Sequence, residues 1–568
     1  MKRCLLFILA IAMLIALAAC NSATTPPSQG NSQTTSQAPP DNNQAPSQAP
    51  PDNSQAPSQA PPDNSQAPSQ APPSTAAKQG GTLRIGMNTE VAASAAWRLR
   101  SPQDVLNWSA VYETLMRNDS SGKIVPYLAE SLTADEAALT YTVKLRDDVY
   151  FSDGSKLDAD VLLWNFENFK DNSQTSSTHF GDVESFEKID DLTVVLHLSN
   201  WSTQIPFSLG NVPGLMYSKK AFDDHGYDWC MDNPVGTGPY VLKEWVKDSY
   251  KVLEKNENYW NKSKPPILDA IRFDIISDEM SAQAALLGGQ IDAFYAGGFA
   301  FQNTMKQNGF DTVYNNSQYR VYFLIYGSDV AGSPLTDVRV RQAIAYAIDS
   351  DTIAATVDSG MSFVSNQYAV EGTPFYNPDV SGYGYDPDKA KQLLADAGYP
   401  NGFTTKLSTG TDQMLDRYMV AIQGYLADVG ITLNLDYQET SIWVSKGIYE
   451  TDEGMILAGH GFGDNLVNQA VSNFSKRAIE GVGMLKNSML HPDDLDTVLM
   501  NALRASNTDK MLEYMHEAER LIIDVYCLGY PVVLGKTGAL TKAANVIDDG
   551  CIVSNNNYFD FTSIYFAG

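Results

Sequence analysis

The chain has 568 residues, 67 of them acidic and 39 basic, with a formal net charge of −28. That length exceeds one ordinary hydrophobic core, so two or three domains are expected. So acidic a surface argues against nucleic acid and anionic lipid as partners, and its plainest role is to keep the protein soluble.

In chain order, Lys2-Arg3 precedes an apolar run from Leu5 to Leu17, which ends in Leu17-Ala18-Ala19-Cys20. A run of about 13 residues is too short to span a bilayer, which needs ~20, and has the form of a signal segment. Its L-A-A-C ending resembles the bacterial lipobox. That resemblance implies a signal peptide over 1–19 and a lipidated Cys20 that attaches the protein to a membrane.

From Ser36 to Ser74 the sequence repeats almost letter for letter every eleven residues, as in "SQAPPDNSQAP". Residues 21–79 hold too little apolar surface to offset chain entropy and are expected to be disordered. Extended, such a segment reaches roughly 180 Å; as a flexible coil it spans nearer ~45 Å. With Cys20 it reads as a tether that lifts a folded body off a membrane, within or across a cell wall. Cys230, Cys527 and Cys551 remain in the body, an odd number that excludes a disulfide framework and leaves any one pairing open.

"GGTLRIGM" (Gly80–Met87) opens the body with a glycine break and an alternating strand. "LTYTVKLRDDVYF" (Leu139–Phe151) alternates with period two. Asp158 should cap a helix whose broad apolar face carries Val161, Leu162, Trp164, Phe166 and Phe169. Asp337 should cap "VRVRQAIAYAID"; Asp386 caps and Pro387 opens another helix, which Gly398 ends. "YRVYFLIYG" (Tyr319–Gly327) and "YCLGYPVVLG" (Tyr526–Gly535) read as two extended crossings that flank an inserted domain and form a hinge. "GTGPY" (Gly236–Tyr240) and "GKTG" (Gly535–Gly538) read as loop and turn, not nucleotide sites.

Seven stretches carry a resemblance: "GGTLRIGM", "VYETLMRND.SGKIVPYLAESL", "YTVKLRDDVYFSDGSKLDADVL", "NPVGTGPYVLKEW", "LEKNENYW", "LTDVRVRQAIAYAID" and "YDPDKAKQLLADAGYPNG". In this order and spacing they resemble the extracytoplasmic solute-binding proteins of ABC importers, in the oligopeptide/dipeptide/nickel-binding family (family 5). The resemblance implies an α/β, two-lobed periplasmic-binding-protein-like fold (type II) with an extra small α/β domain. Lobe I would comprise 80–115, 210–320 and 530–568, the extra domain 116–209, and lobe II 321–529. The chain would be a monomeric receptor that captures a solute, a peptide on this reading, and delivers it to ABC permease and ATPase subunits.

Catalytic chemistry is not legible. There is no G-x-S-x-G, H-E-x-x-H or C-x-x-C, and the six histidines lack ligand spacing, so neither enzyme activity, metal nor cofactor is expected. Binding candidates follow from the resemblance. In "AGHGFGDNL", Asp464 is the acid that would face a ligand ammonium, and His460 stands where relatives tend to have Trp. Trp443 matches an aromatic that lines side-chain pockets, and Tyr295 in "YAGGF" matches a cleft-facing stretch. Asn88, Glu90 and Trp97 follow the opening strand. An oligosaccharide, a nickel chelate, or a surface sensor or adhesion role are the alternatives.

Overall fold

A computed structural model describes residues 77–568 apart from 92, 100–101, 120–122, 296, 411–412, 440–441, 444–445, 447–452, 464–465, 481–487 and 554–557. The signal segment, Cys20 and the repeat lie outside the described residues.

Runs of β-branched and aromatic residues between glycine breaks become strands. Ten of them join one sheet: Thr82–Met87 (β1), Tyr240–Val246 (β2), Tyr250–Lys255 (β3), Ala270–Ile275 (β4), Ala293–Tyr295 (β5), Asp311–Tyr326 (β6), Thr404–Gly410 (β7), Thr432–Gln438 (β8), Met455–Gly463 (β9) and Gly529–Lys542 (β10). The order across the sheet is β8-β7-β9-β6-β10-β5-β1-β4-β3-β2. β1, β4 and β5 are parallel, and so are β7, β8 and β9. Between these sets lie β6 and β10, antiparallel to each other; β6 pairs outward with β9 and β10 with β5. The two expected crossings are thus one hydrogen-bonded pair. The second starts later than its apolar run suggests, because Leu521–Val525 form a π-helical turn before the strand begins at Gly529. "GKTG" is corrected from a turn to strand: Gly535–Gly538 lie within β10.

A four-stranded antiparallel sheet is built from Ala129–Asp135, Thr140–Leu145, Thr193–Leu198 and Val183–Lys188, in that order. The helix Ala159–Asn172 belongs with it, and Asp158 accepts from the Val161 amide at 3.0 Å as its cap. Residues 116–209 do not form a core of their own. Val143, Leu145, Phe166 and Leu196 share one apolar cluster with Leu83, Ile85, Ile271 and Phe273 of the large sheet. Asn165 binds the backbone of Tyr217 in both directions, at 3.0 Å each way. This shared core makes one body of the first lobe and the extra sheet.

The rest forms a second body, with cores on both faces of the central strands. Side chains alternate across a strand, so Val321, Phe323 and Ile325 of β6 face the helices Leu466–Phe474, Asp493–Leu503 and Thr508–Arg520. Tyr322, Leu324 and Tyr326 face the helices Val338–Ala347 and Gln413–Asp428. Asp337 and Asp386 cap their helices at 2.9 Å each, and Gly398 takes φ +94° just beyond the second.

Buried ions explain some of the sequence motifs. Glu113 of "VYETL" accepts from the hydroxyls of Tyr127 (2.8 Å) and Tyr259 (2.5 Å) and from Trp260 Nε1 (2.7 Å), so it ties itself to "KNENYW". Arg341 of "VRVRQAIAYA" is 1% exposed and donates to the carbonyls of Leu335 (2.7 Å) and Tyr526 (2.6 Å), which ties that helix to the approach of β10. "GTGPY" is glycine-rich for close approach: a Cβ on Gly236 would stand 2.1 Å from the Val111 carbonyl oxygen.

Candidate functional site: a cleft at the central strands

The site is located by strand register. β5 runs toward the middle of β10, from Ala293 opposite Lys542 to Tyr295 opposite Leu540. β9 approaches the same place from the other body, from Met455 opposite Tyr326 to Gly463 opposite Gln318 of β6. The carboxyl ends of both parallel sets therefore converge where the β6–β10 ladder slips. There the pairing passes from Val313–Leu540 to Asn315–Thr537 and then to Tyr319–Lys536. Ligands of α/β folds bind beyond the carboxyl ends of parallel strands. A slipped register bends a strand and concentrates motion in few residues.

This topology sets several candidates at or beyond the carboxyl ends of strands. Asn88 and Glu90 follow β1, Tyr295 ends β5, Trp443 follows β8, and His460 lies in the last turnless stretch of β9. His460 pairs through its backbone with Val321; its side chain and the whole of Asp464 lie outside the described residues. Glu90 is half-buried and accepts from Trp245 Nε1 at 3.1 Å, which turns it into the first body. Tyr295 is 3% exposed, with its ring 5.9 Å from that of Phe559 in an edge-on contact. Trp97 is drawn away from the strand end into an aromatic cluster with Trp164, Tyr217, Phe222 and Tyr227. It is 3% exposed there, an apolar packing role that its place in the sequence does not reveal. Trp443 packs half-buried against the second body, and its buried Nε1 has no partner among the described residues.

Other residues at the convergence are not apparent from the motifs. The loop after β5 is braced: Glu279 accepts from the Gly298 amide at 2.6 Å, and Gln302 donates to the Gly297 carbonyl at 2.5 Å. The Tyr314 hydroxyl donates to Gln302 Oε1 at 2.6 Å, and burial raises its pKa, which keeps it a neutral donor. The Phe299 ring, from the first body, lies over Gly535 of β10, where a Cβ would come within 2.4 Å of its Cζ. That close approach is what the first glycine of "GKTG" permits.

Two exposed cations stand at the slip. The Arg320 guanidinium lies 5.7 Å over the Tyr322 ring, and Lys536 Nζ 5.4 Å from the Tyr314 ring. Among the described residues neither has a carboxylate partner, although the chain is strongly acidic. Arg320 pairs across the sheet with Gly461 and Gly535, and a Cβ on Gly461 would meet nothing. A charge inside the apolar run "YRVYFLIYG" is the sequence signal that could have found it. No cluster of metal-ligating side chains occurs among the described residues, and Cys230, Cys527 and Cys551 are buried free thiols. No helix among the described residues is long and apolar enough to cross a membrane.

The fold resembles those of known proteins. The chain is 27% identical over 461 residues to the glutathione-binding protein GsiB of Pectobacterium atrosepticum, covering 79% of this chain and 87% of that protein. It is 27% identical over 363 residues to the nickel-binding periplasmic protein of Escherichia coli, covering 60% and 68%. The solved structure of the periplasmic binding protein DppA from Helicobacter pylori in complex with the peptide STSA superposes with a TM-score of 0.71 at 22% identity. It covers 86% of this chain and 99% of that one. The Listeria monocytogenes substrate-binding protein CtaP gives a TM-score of 0.75 at 22% identity, covering 86% and 100%. These neighbours share the α/β, two-lobed type II binding-protein fold. The family model for the middle region of bacterial extracellular solute-binding proteins, family 5, matches residues 123–479. The chain therefore belongs to the family 5 bacterial extracellular solute-binding proteins, transport receptors that bind solutes for ABC permeases and are not enzymes.

Proposed function

We propose that this receptor captures a peptide with a free carboxylate between its two bodies and is held to the outer face of the cell membrane by a lipidated Cys20. The observation that carries the ligand class is Arg320. It is an exposed guanidinium beside glycines, at the point where both sets of strand ends converge, without an acid to neutralise it among the described residues. A planar, permanently charged fork is suited to a carboxylate. Trp443 supplies an N–H in want of an acceptor, and Asp464, next in sequence after Gly463, would face the ligand's ammonium. The DppA neighbour was solved with a peptide, which agrees with this reading. The repeat between Cys20 and the body would serve as the tether.

Mass spectrometry of solute released from the gently isolated full chain tests the class. Mixed peptides are expected; an oligosaccharide or a nickel chelate would overturn the peptide reading. Arg320 is tested by comparing a peptide acid with its C-terminal amide. The acid should bind about tenfold more tightly, and Arg320→Met should abolish that difference. Equal affinities in the parent protein would remove Arg320 from the site. Globomycin-sensitive processing and metabolic labelling with a palmitate analogue, lost in Cys20→Ser, test the anchor.

A further inference from the structure

The two bodies meet at a second place, away from β6 and β10. After the small sheet, Trp201 donates its Nε1 proton to the Ala505 carbonyl at 2.9 Å, in a buried contact. Its ring is stacked on Tyr141 at 4.9 Å with 9° between planes, so it is fixed to the first body. Thr203 donates both its amide, at 3.3 Å, and its hydroxyl, at 3.4 Å, to the Leu503 carbonyl. Asn468 donates to Gln204 Oε1 at 3.2 Å, and Arg477 stands 4.0 Å from Asp182.

On the second body, these contacts involve the Leu503–Ala505 turn and the helix Leu466–Phe474. The helix Thr508–Arg520 leads through the π-helical turn to Gly529, the end of β10 remote from the register slip. Its other end, ~20 Å back by helical rise, carries the Leu503–Ala505 turn toward the first body. Asn468 is in the first turn of the helix Leu466–Phe474, which follows the carboxyl end of β9 directly. The seam thus begins at the rim of the cleft.

Its character is that of a reversible contact. The apolar cores of the two bodies are separate, while the seam is made mostly of hydrogen bonds from side chains to backbone or to one another, with one long ion pair. Small polar contacts between domains come apart readily. A permanent seam combined with the central strands would fix the bodies at two places and leave the slipped ladder nothing to do.

We propose that Trp201, Thr203 and Gln204 form a latch that closes on the second body and sets ligand affinity from outside the cleft. This rests on the receptor reading, since a latch has a purpose only if the bodies close on a solute. A first ligand-free population of the closed state raises apparent affinity in proportion, and losing it lowers affinity without touching a ligand contact.

The test uses the full chain with Cys4→Ser and Cys20→Ser, spin-labelled at the exposed positions Asp191→Cys and Asp493→Cys, one on each body; their native side chains are 97% and 90% exposed. Pulsed dipolar spectroscopy without ligand reads the latch directly. Trp201→Phe leaves an aromatic ring to stack on Tyr141 and removes the N–H donor; Thr203→Val, which removes the hydroxyl, is the second variant. Both should move the ligand-free distribution toward longer separations and weaken binding of tetra-alanine about fivefold to tenfold, while the distribution at saturation stays that of the parent. Distances that do not change in either variant would overturn the latch. So would a parent protein that binds tetra-alanine yet shows the same distances with and without it, which would make the seam a fixed packing contact. If tetra-alanine fails to bind, the peptide reading suffers but the ligand-free distances still decide the latch.

Discussion

Among the charge-bearing side chains each body buries, two in each make a contrast, one well partnered and one poorly, and the poorly partnered groups have opposite signs. In the first body Glu113 is gripped by three side-chain donors, whereas Lys251 has Asn107 as its hydrogen-bond acceptor and the rings of Trp108 and Phe273 at 4.6 and 4.8 Å. Burial pushes the Lys251 ammonium down to about 7. In the second body Arg341 is met by backbone carbonyls, whereas Glu519 is 2% exposed and accepts from the Tyr368 amide at 3.2 Å. Burial pushes the Glu519 carboxyl up to about 8. Burial also raises the pKa of the Glu113 carboxyl and lowers that of the Arg341 guanidinium. The contrast teaches that hydrogen bonds offset part of the cost of burying a charge, and that with few of them the group becomes neutral with a pH dependence.

The largest effect should come from emptying the well-partnered sites. Glu113→Ala strands three buried donors, and Arg341→Ala strands carbonyls and leaves a void. Each should cost ~3–5 kcal/mol in urea unfolding. Losses under ~1 kcal/mol would mean that water replaces the missing partner.

The poorly partnered groups should tilt stability in opposite directions. Glu519 holds its proton in the folded state and loses it when unfolded between about pH 4.5 and 8. Its contribution is therefore complete below that range and is lost as pH rises through about 8. Lys251 is neutral when folded and charged when unfolded between about pH 7 and 10.5, so stability is lost as pH falls through about 7. Glu519→Gln should flatten the acid-to-neutral slope and Lys251→Met the alkaline one, each by an amount on the order of a few kcal/mol across its range. Unfolding free energies measured in urea from pH 4 to pH 10 would read both slopes. A parent profile unaffected by either substitution would refute the assignment of these groups as the titrating ones.

Smaller effects are expected at the seam between the bodies. Gly535→Val would hold the Phe299 ring off β10 and weaken solute binding roughly tenfold with little change in melting temperature; overpacking costs ~1–3 kcal/mol. Phe299→Ala should restore affinity in that background, and failure to do so would show that the valine acts elsewhere. Least of all, Trp443→Phe exchanges the indole and its N–H for a phenyl ring, with an expected loss of about fivefold in affinity by calorimetry. No loss would take Trp443 out of the ligand's reach.

Much of the local architecture was legible. Asp158, Asp337 and Asp386 announce their helices because a carboxylate just before an apolar periodic run has nearby backbone amides to satisfy, whatever the rest of the chain does. The opening strand and the apolar crossing at Tyr319 were legible for the same local reason. The roles of aromatic residues were not: Trp97 and Glu90 stand near a strand end in sequence, yet one packs among four rings and the other accepts from Trp245. Position in a loop fixes where a residue starts, not which partner from 60 or 150 residues away reaches it. "GKTG" misled because glycines read as turns, whereas Gly535 is required by the approach of Phe299 from the other body.

The sequence by itself determined the family, through ordered motifs, and the caps and apolar periods, because these depend on contacts within a few residues. It also determined the acidity of the surface. Only the tertiary structure decided that two distant apolar runs would be one ladder, that its register would slip between Val313 and Tyr319, and that Arg320 would stand there without a described acid. Register, convergence and burial depend on which strands pair across two hundred residues, and the free energy of that choice belongs to the assembled sheet and its two bodies rather than to any segment of the chain.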